Sequence, residues 1–98
     1  MDREAVGVVG LGPVGTILGA YLVKSGMTVY GVDTLQSRVD QVNADGFMVR
    51  GFADLNETPA GCFNTQAELA EIKDLSGLFI CTKTWAIEAV MREFVELT

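Results

Sequence analysis

The sequence predicts an α/β fold, in which a parallel sheet has helices on both of its faces. Short runs rich in β-branched residues, which indicate buried strands, alternate with stretches in which apolar residues recur at helical spacing. Strands that alternate with helices usually pair in parallel, because each helix crosses back over the sheet. The chain has 98 residues, of which 49% are hydrophobic, so we expect one small domain over residues 1–98.

The individual elements follow from the apolar pattern along the chain. Strands are predicted over about Ala5–Leu11, Thr28–Val32, Phe47–Gly51, Cys62–Asn64 and Gly77–Thr82. Helices are predicted over about Pro13–Ser25, Leu35–Asp45, Thr65–Ile72 and Trp85–Leu97. Thr65 and Glu68 have the spacing of a capping box that would open the third helix. The apolar face of the last helix is expected to pack on the core.

A glycine-rich segment joins the first strand to the first helix. Its spacing, G-x-G-x-x-G between a strand and a helix, is typical of the dinucleotide-binding turn of Rossmann-like folds. Gly10 would permit a sharp turn, Gly12 would let a pyrophosphate approach the backbone, and Gly15 would let the helix pack closely. The helix start offers N–H groups and a partial positive charge to the phosphates. The predicted cofactor-binding residues of this segment are Gly10, Leu11, Gly12, Pro13, Val14 and Gly15.

An acidic residue, Asp33, ends the second strand. It lies eighteen residues beyond Gly15, close to the spacing of about 20 expected for the acid that binds the adenosine ribose. A carboxylate there can accept hydrogen bonds from both ribose hydroxyls and would repel a 2′-phosphate, which favours NAD over NADP. Two alternatives stay open. Asp33 could instead cap the following helix, and Arg38 could turn towards a 2′-phosphate and so permit NADP.

Composition excludes several classes of function. The net charge is −6, which argues against nucleic acid or an anionic membrane surface as a partner. The chain has no histidine, and Cys62 and Cys81 do not form a metal-ligand spacing, so we predict no metal site. Residues 1–4 do not begin a signal peptide, and no apolar run is long enough to span a bilayer. We therefore expect a cytoplasmic protein.

Lys83 lies in the turn after the strand at Gly77–Thr82. Spacing alone leaves two interpretations open: an ammonium that reaches the cofactor or substrate, or a solvated loop lysine. Together with residues 10–15, two further segments, GFMVRG at 46–51 and FICTKTW at 79–85, resemble the N-terminal NAD(P)-binding domain of ketopantoate reductases (2-dehydropantoate 2-reductases). The resemblance implies NAD(P)H-dependent reduction of a small 2-oxo acid, and it implies that Lys83 contacts the cofactor.

Two departures from the family pattern limit what the resemblance implies. Family members usually prefer NADPH and have an arginine near the end of the second strand, where this sequence has Asp33. They also continue into further strands and a helical domain that holds the catalytic lysine, before which this chain stops. We therefore assign no catalytic residue and expect the chain alone to be inactive. A missing neighbour for the strand at Gly77–Thr82 would leave an apolar edge, so we expect self-association through that edge or the last helix.

Two other functions are compatible with the glycine segment. UDP-sugar and 6-phosphogluconate dehydrogenases share the glycine loop and the Val-Asp end of the second strand, but do not especially suggest a lysine followed by an aromatic residue. A nucleotide-sensing regulatory module, such as those attached to potassium channels, can be about this long and works without catalysis. It usually lacks a segment like residues 46–51.

Overall fold

The computed structural model describes residues 4–51, 54–73 and 75–97. Within these ranges the strands are Ala5–Val9 (β1), Thr28–Val32 (β2), Phe47–Val49 (β3), Leu55–Glu57 (β4), Gly61–Phe63 (β5) and Leu75–Ile80 (β6). The helices are Pro13–Lys24 (α1), Gln36–Asp45 (α2), Gln66–Ala70 (α3) and Ile87–Leu97 (α4), and a 3₁₀ turn over Thr84–Ala86 leads into α4.

Four of the strands form one parallel sheet in the order β5-β2-β1-β6. β1 lies in the centre, where Val8 is opposite Gly31 of β2 and Phe79 of β6. The carboxyl ends of these strands therefore meet at one edge, which is where open parallel sheets bind ligands. The predicted α/β class and the parallel pairing are confirmed.

The second sheet is an antiparallel hairpin of β3 and β4, which the sequence predicted only in part. β4 contains one buried apolar residue, Leu55, between polar neighbours, so its pattern does not indicate a strand. It forms because its backbone pairs with β3, with Val49 opposite Leu55 and Phe47 opposite Glu57. The hairpin covers α1. Along the chain it lies between α2 and β5, the strand that pairs with β2.

Apolar side chains fill both faces of the parallel sheet, because successive residues of a strand point to opposite sides. On one face α1, α2 and the hairpin enclose Phe47, which is fully buried and lies against Gly19 of α1. A Cβ at Gly19 would come within 2.8 Å of the Phe47 ring, so α1 has no room for a side chain there. On the other face Leu69 of α3 is fully buried, and its methyl groups lie over Gly7. Val90 and Phe94 of α4 pack against the same cluster.

One expectation about the helices was wrong, and a second is confirmed only in part. The capping box did not form: Thr65 is the N-cap residue of α3, but its hydroxyl makes no capping hydrogen bond. Burial of Leu69 rather than capping holds this helix of five residues. The apolar face of α4 packs on the core through Val90 and Phe94, which lie against the cluster around Leu69, but none of its described residues is fully buried. Met91, on the outer side, is 52% exposed.

None of the helices in the described part of the chain combines the length and the apolar character needed to cross a membrane.

Candidate functional site

The turn between β1 and α1 requires glycine at two of its positions. Gly10 has a φ of +100°, a conformation that residues with a Cβ rarely adopt, and its N–H donates to the carbonyl oxygen of Val32 at 2.7 Å. A Cβ at Gly15 would lie 1.8 Å from the carbonyl oxygen of Gly10. Here the start of α1 packs directly on the turn, so a larger residue at either position would displace backbone.

Gly12 differs from these two glycines, because the fold does not require it. Its backbone is extended, with a φ of −73°, and it is the N-cap residue of α1. A Cβ built on Gly12 meets only Nη1 of Arg38, at 3.8 Å. The first hydrogen bond of the helix runs from Thr16 N–H to the Gly12 carbonyl oxygen, so the N–H groups of Gly12, Val14 and Gly15 precede the helical ladder, while Pro13 has no N–H. Pro13 and Val14, which follow, are exposed.

The Asp33 carboxylate lies at the predicted edge of the sheet, but protein groups already occupy both of its oxygens. Oδ2 accepts a hydrogen bond from Leu11 N–H at 2.8 Å, and Oδ1 accepts one from Leu35 N–H at 2.9 Å. The residue is only 9% exposed. Asp33 therefore ties the glycine turn to the end of β2. Leu11 contributes no free amide to the site, and its side chain is buried beneath the turn.

The capping alternative for Asp33 is wrong. The N-cap residue of α2 is Leu35, and Asp33 lies two residues before it, outside the helix. The hydrogen bond that Asp33 Oδ1 accepts from Leu35 N–H still fixes the turn that leads into α2. The sequence could not show the link to Leu11, because that partner is a backbone amide, which every residue except proline has.

A basic cavity of about 320 Å³ lies on the α1–α2 side of the glycine turn. Gly12, Pro13, Arg38 and Arg50 are among its lining residues. Nη1 of Arg38 lies 3.6 Å from Asp33 Oδ2, and the arginine side chain is 48% exposed. Arg50 was not predicted as a site residue; its Nη1 donates to carbonyl oxygens at the ends of the β3–β4 hairpin. The two guanidinium groups give this side of the turn a positive charge.

A second cavity, of about 410 Å³, lies at the carboxyl ends of the parallel strands. Gly10, Asp33 and Thr82 all line it, so the turns that follow β1, β2 and β6 meet there. Lys83 is exposed and is not among the lining residues; its carbonyl oxygen accepts a hydrogen bond from Ala86 N–H in the 3₁₀ turn.

Two buried side-chain oxygens in this second cavity have no hydrogen-bond partner among the described residues. They are Oε1 of Gln66 and Oγ1 of Thr82. Gln66 is 6% exposed, and its amide nitrogen donates to Oε1 of Glu93 at 3.1 Å. Both residues line the cavity, but the two oxygen atoms themselves are shielded from solvent. The sequence analysis missed Gln66, because a glutamine in the first turn of a short helix usually faces solvent.

The two cysteines are free thiols, Cys62 buried and Cys81 half-buried. Burial raises the pKa of the Cys62 thiol to about 11, and burial also raises the pKa of Cys81. Both thiols are therefore protonated at neutral pH. Across the residues that the structure describes, no three His, Cys, Asp or Glu side chains are grouped so as to hold a metal ion.

Comparison with known families agrees with this geometry. The family model described as ketopantoate reductase PanE/ApbA matches residues 6–98. Comparisons with curated proteins and with solved structures give no match. The matched span includes the glycine turn, Asp33 and the turn with Lys83, and the parallel sheet brings these to one edge. Because the match extends over nearly the whole chain, this protein belongs to the ketopantoate reductase family.

Proposed function

We propose that this chain binds a nicotinamide dinucleotide, as the cofactor-binding part of a reductase that acts on a small 2-oxo acid. The observation that supports binding most directly is Gly12. Packing does not require a glycine at this position, yet the absence of a side chain leaves the start of α1 open beside Arg38. A pyrophosphate above Gly12 would accept hydrogen bonds from the amides that precede the helical ladder, such as that of Val14, and would meet the positive end of the helix.

The charges around Asp33 favour NADPH. A carboxylate that selects NADH must accept hydrogen bonds from the ribose hydroxyls, but both Asp33 oxygens already accept backbone N–H bonds. Arg38 lies beside it with half of its side chain exposed, and its planar guanidinium suits a phosphate. Our proposal therefore departs from the NAD preference expected from Asp33 alone.

Within this proposal, the residues of the chain bind and orient the cofactor. The dinucleotide supplies the hydride for reduction of the 2-oxo acid. Asp33 holds the glycine turn in place, and Arg38 and Arg50 provide positive charge on the phosphate side. Lys83, exposed in the turn after β6, is proposed to reach the cofactor, as the family resemblance implies. We assign no catalytic residue and propose that the chain alone does not turn over substrate.

Self-association is a further proposal about this chain. Three apolar side chains on β6, the turn that follows it and α4 remain exposed: Phe79, Trp85 and Met91. An apolar strand at a sheet edge can pair with another copy. Sedimentation should show an average mass that increases as the protein concentration is raised from micromolar to millimolar. The substitution Met91→Glu should reduce this increase. A single monomer species over that range would contradict the proposal.

Calorimetric titration with NADPH and NADH tests cofactor binding and preference together. We expect wild-type protein to bind NADPH at least tenfold more tightly than NADH. Arg38→Met should weaken the binding of NADPH at least tenfold and the binding of NADH less than threefold, because only NADPH has the 2′-phosphate. Arg92→Met is the matched control, since Arg92 lies on α4 paired with Glu88. Tighter binding of NADH, or equal effects of the two substitutions on NADPH, would overturn the preference.

A further inference from the structure

We propose that the side chain of Asn43 seals one edge of the parallel sheet, so that strand β5 cannot pair with the same strand of a second copy of this chain. The inference goes beyond cofactor binding and does not depend on it. It also restricts the proposed self-association, because it leaves β6 as the edge of the sheet at which copies can pair.

Strand β5 lies at one end of the sheet and consists of three residues, Gly61–Phe63. It pairs in parallel with β2: Cys62 is opposite Gly31, and the carbonyl oxygen of Phe63 accepts a hydrogen bond from Asp33 N–H. Successive residues of a strand direct their backbone groups to opposite sides, so Cys62 directs its N–H and its carbonyl oxygen away from β2. This one residue therefore carries the outer edge of the strand.

The side-chain amide of Asn43, on α2, occupies both of these backbone groups. Its Nδ2 donates to the carbonyl oxygen of Cys62 at 3.0 Å, and its Oδ1 accepts from Cys62 N–H at 2.9 Å. A primary amide presents a donor and an acceptor side by side, as the peptide groups of a neighbouring strand would. Asn43 therefore takes the place that the next strand of the sheet would have.

The segment around β5 has no charge that would keep another strand away. Residues 58–67 contain no Asp, Glu, Lys or Arg, although Glu57 and Glu68 flank them. Charged side chains are a common protection of edge strands. Pro59 has no N–H and restricts pairing before the strand, but it does not protect the backbone of Cys62. The protection of β5 therefore depends on Asn43.

The opposite edge of the sheet has no such seal. Strand β6 has six residues, Leu75–Ile80, and among the described residues no side chain forms a hydrogen bond with its backbone. Its Phe79 side chain is exposed. An unpaired edge strand offers its N–H and carbonyl groups to another chain. Without Asn43, β5 would offer the same groups, and the β5 strands of two copies would pair about a two-fold axis, with the two Cys62 residues exchanging both hydrogen bonds.

Amide hydrogen exchange at Cys62 N–H, followed by NMR, tests the seal. Asn43→Ala removes both hydrogen bonds, and alanine is favourable at an exposed helical position, so α2 itself is not weakened. In dilute solution this amide should exchange at least tenfold faster than in wild-type protein. At millimolar protein, where two β5 strands can pair, the exchange should slow again at least threefold. The exchange in wild-type protein should not depend on protein concentration.

Gln36→Ala is the matched control. It removes the other amide bridge from α2 to the segment after β5, in which Asn64 Nδ2 donates to Gln36 Oε1 at 2.6 Å, but this bridge does not involve the backbone of β5. In this variant the Cys62 amide should exchange within threefold of the wild-type rate at both concentrations. If the control behaves as Asn43→Ala does, loosening of α2 explains the effect and the inference is overturned.

Two results with Asn43→Ala would also overturn the inference. An unchanged rate in dilute solution would show that Asn43 does not cover Cys62 N–H, and fast exchange at both concentrations would show that the uncovered edge accepts no strand. Association through β6 or α4 leaves this amide unaffected, so that proposal fails or stands separately, in sedimentation. If Asn43→Ala does not fold, Asn43→Ser replaces it, because serine is too short to bond both groups. Its exchange should rise and fall at least threefold, and an unchanged rate would count against the seal.

Discussion

Substitution of Gly12 by alanine separates the binding role of the glycine turn from its structural role. The new Cβ would have one near neighbour, Nη1 of Arg38 at 3.8 Å, which is ordinary van der Waals contact. The φ of −73° suits alanine, so no backbone strain arises. The stability cost comes only from the N-cap position, where alanine is about 0.5–1 kcal/mol less favourable than glycine. That cost corresponds to a fall of about 2–8 °C in the melting temperature of a domain of this size.

The effect of Gly12→Ala on cofactor binding should be much larger. A phosphate oxygen must come within about 2.9 Å of a backbone N–H, and the added methyl group stands in that path. Loss of one hydrogen bond to a charged group costs about 1.5–3 kcal/mol. The dissociation constant for NADPH should therefore rise between about tenfold and a hundredfold.

Two other glycines make the comparison decisive. Gly77→Ala is the matched control, because its Cβ also has a single near neighbour, Val6 Cγ1 at 3.8 Å, and lies on β6 away from the turn. Gly15→Ala is the opposite case, since its Cβ would overlap the carbonyl oxygen of Gly10 and should destabilise the fold. Titration with NADPH and thermal melting are measured on all three variants. If Gly12→Ala binds NADPH within threefold of wild type, the pyrophosphate does not lie over this residue.

Three further predictions concern stability, each measured by urea unfolding. Phe47→Ala should lower the free energy of unfolding by about 3–5 kcal/mol, whereas Met48→Ala, on the exposed side of the same strand, should cost less than about 1 kcal/mol; similar losses would contradict the packing described. Asp33→Asn should cost about 1.5–3 kcal/mol by weakening the bond to the glycine turn, and an unchanged value would show that this bond is absent in solution. Because the pKa of Cys62 rises to about 11 from 9.0, the unfolded chain ionises first, so wild-type stability should fall by about 2 kcal/mol between pH 9 and 11. Cys62→Ala should lack that part of the pH dependence, while Cys81→Ala should keep it; parallel pH curves for all three proteins would refute the effect.

Most of the fold could be predicted because its signals are local. Strands β1 and β2 are β-branched runs, and α1 lies between a glycine turn and a glycine stop, so each boundary falls within two residues of its predicted place. β4 was missed because its pairing with β3 is made by backbone groups, which leave no pattern in the residues 55–57. The same reason applies to Asp33, whose partners are two backbone amides rather than side chains.

Gln66 illustrates a different limit of sequence analysis. Its burial results from the packing of α4 against α3, two elements that are separate along the chain, and its partner Glu93 lies 27 residues away. On sequence alone both are polar residues of surface helices. A buried amide with one satisfied and one unsatisfied end is visible only once the two helices are placed together.

The charges beside the glycine turn bear on the orientation of the proposed cofactor. Arg38 and Arg50 line the cavity on the α1–α2 side, whereas Asp33 and Glu93, and neither arginine, line the cavity at the carboxyl ends of the strands. In the proposed complex the phosphates would therefore lie on the side of the guanidinium groups, because the reverse orientation would bring them towards the two carboxylates.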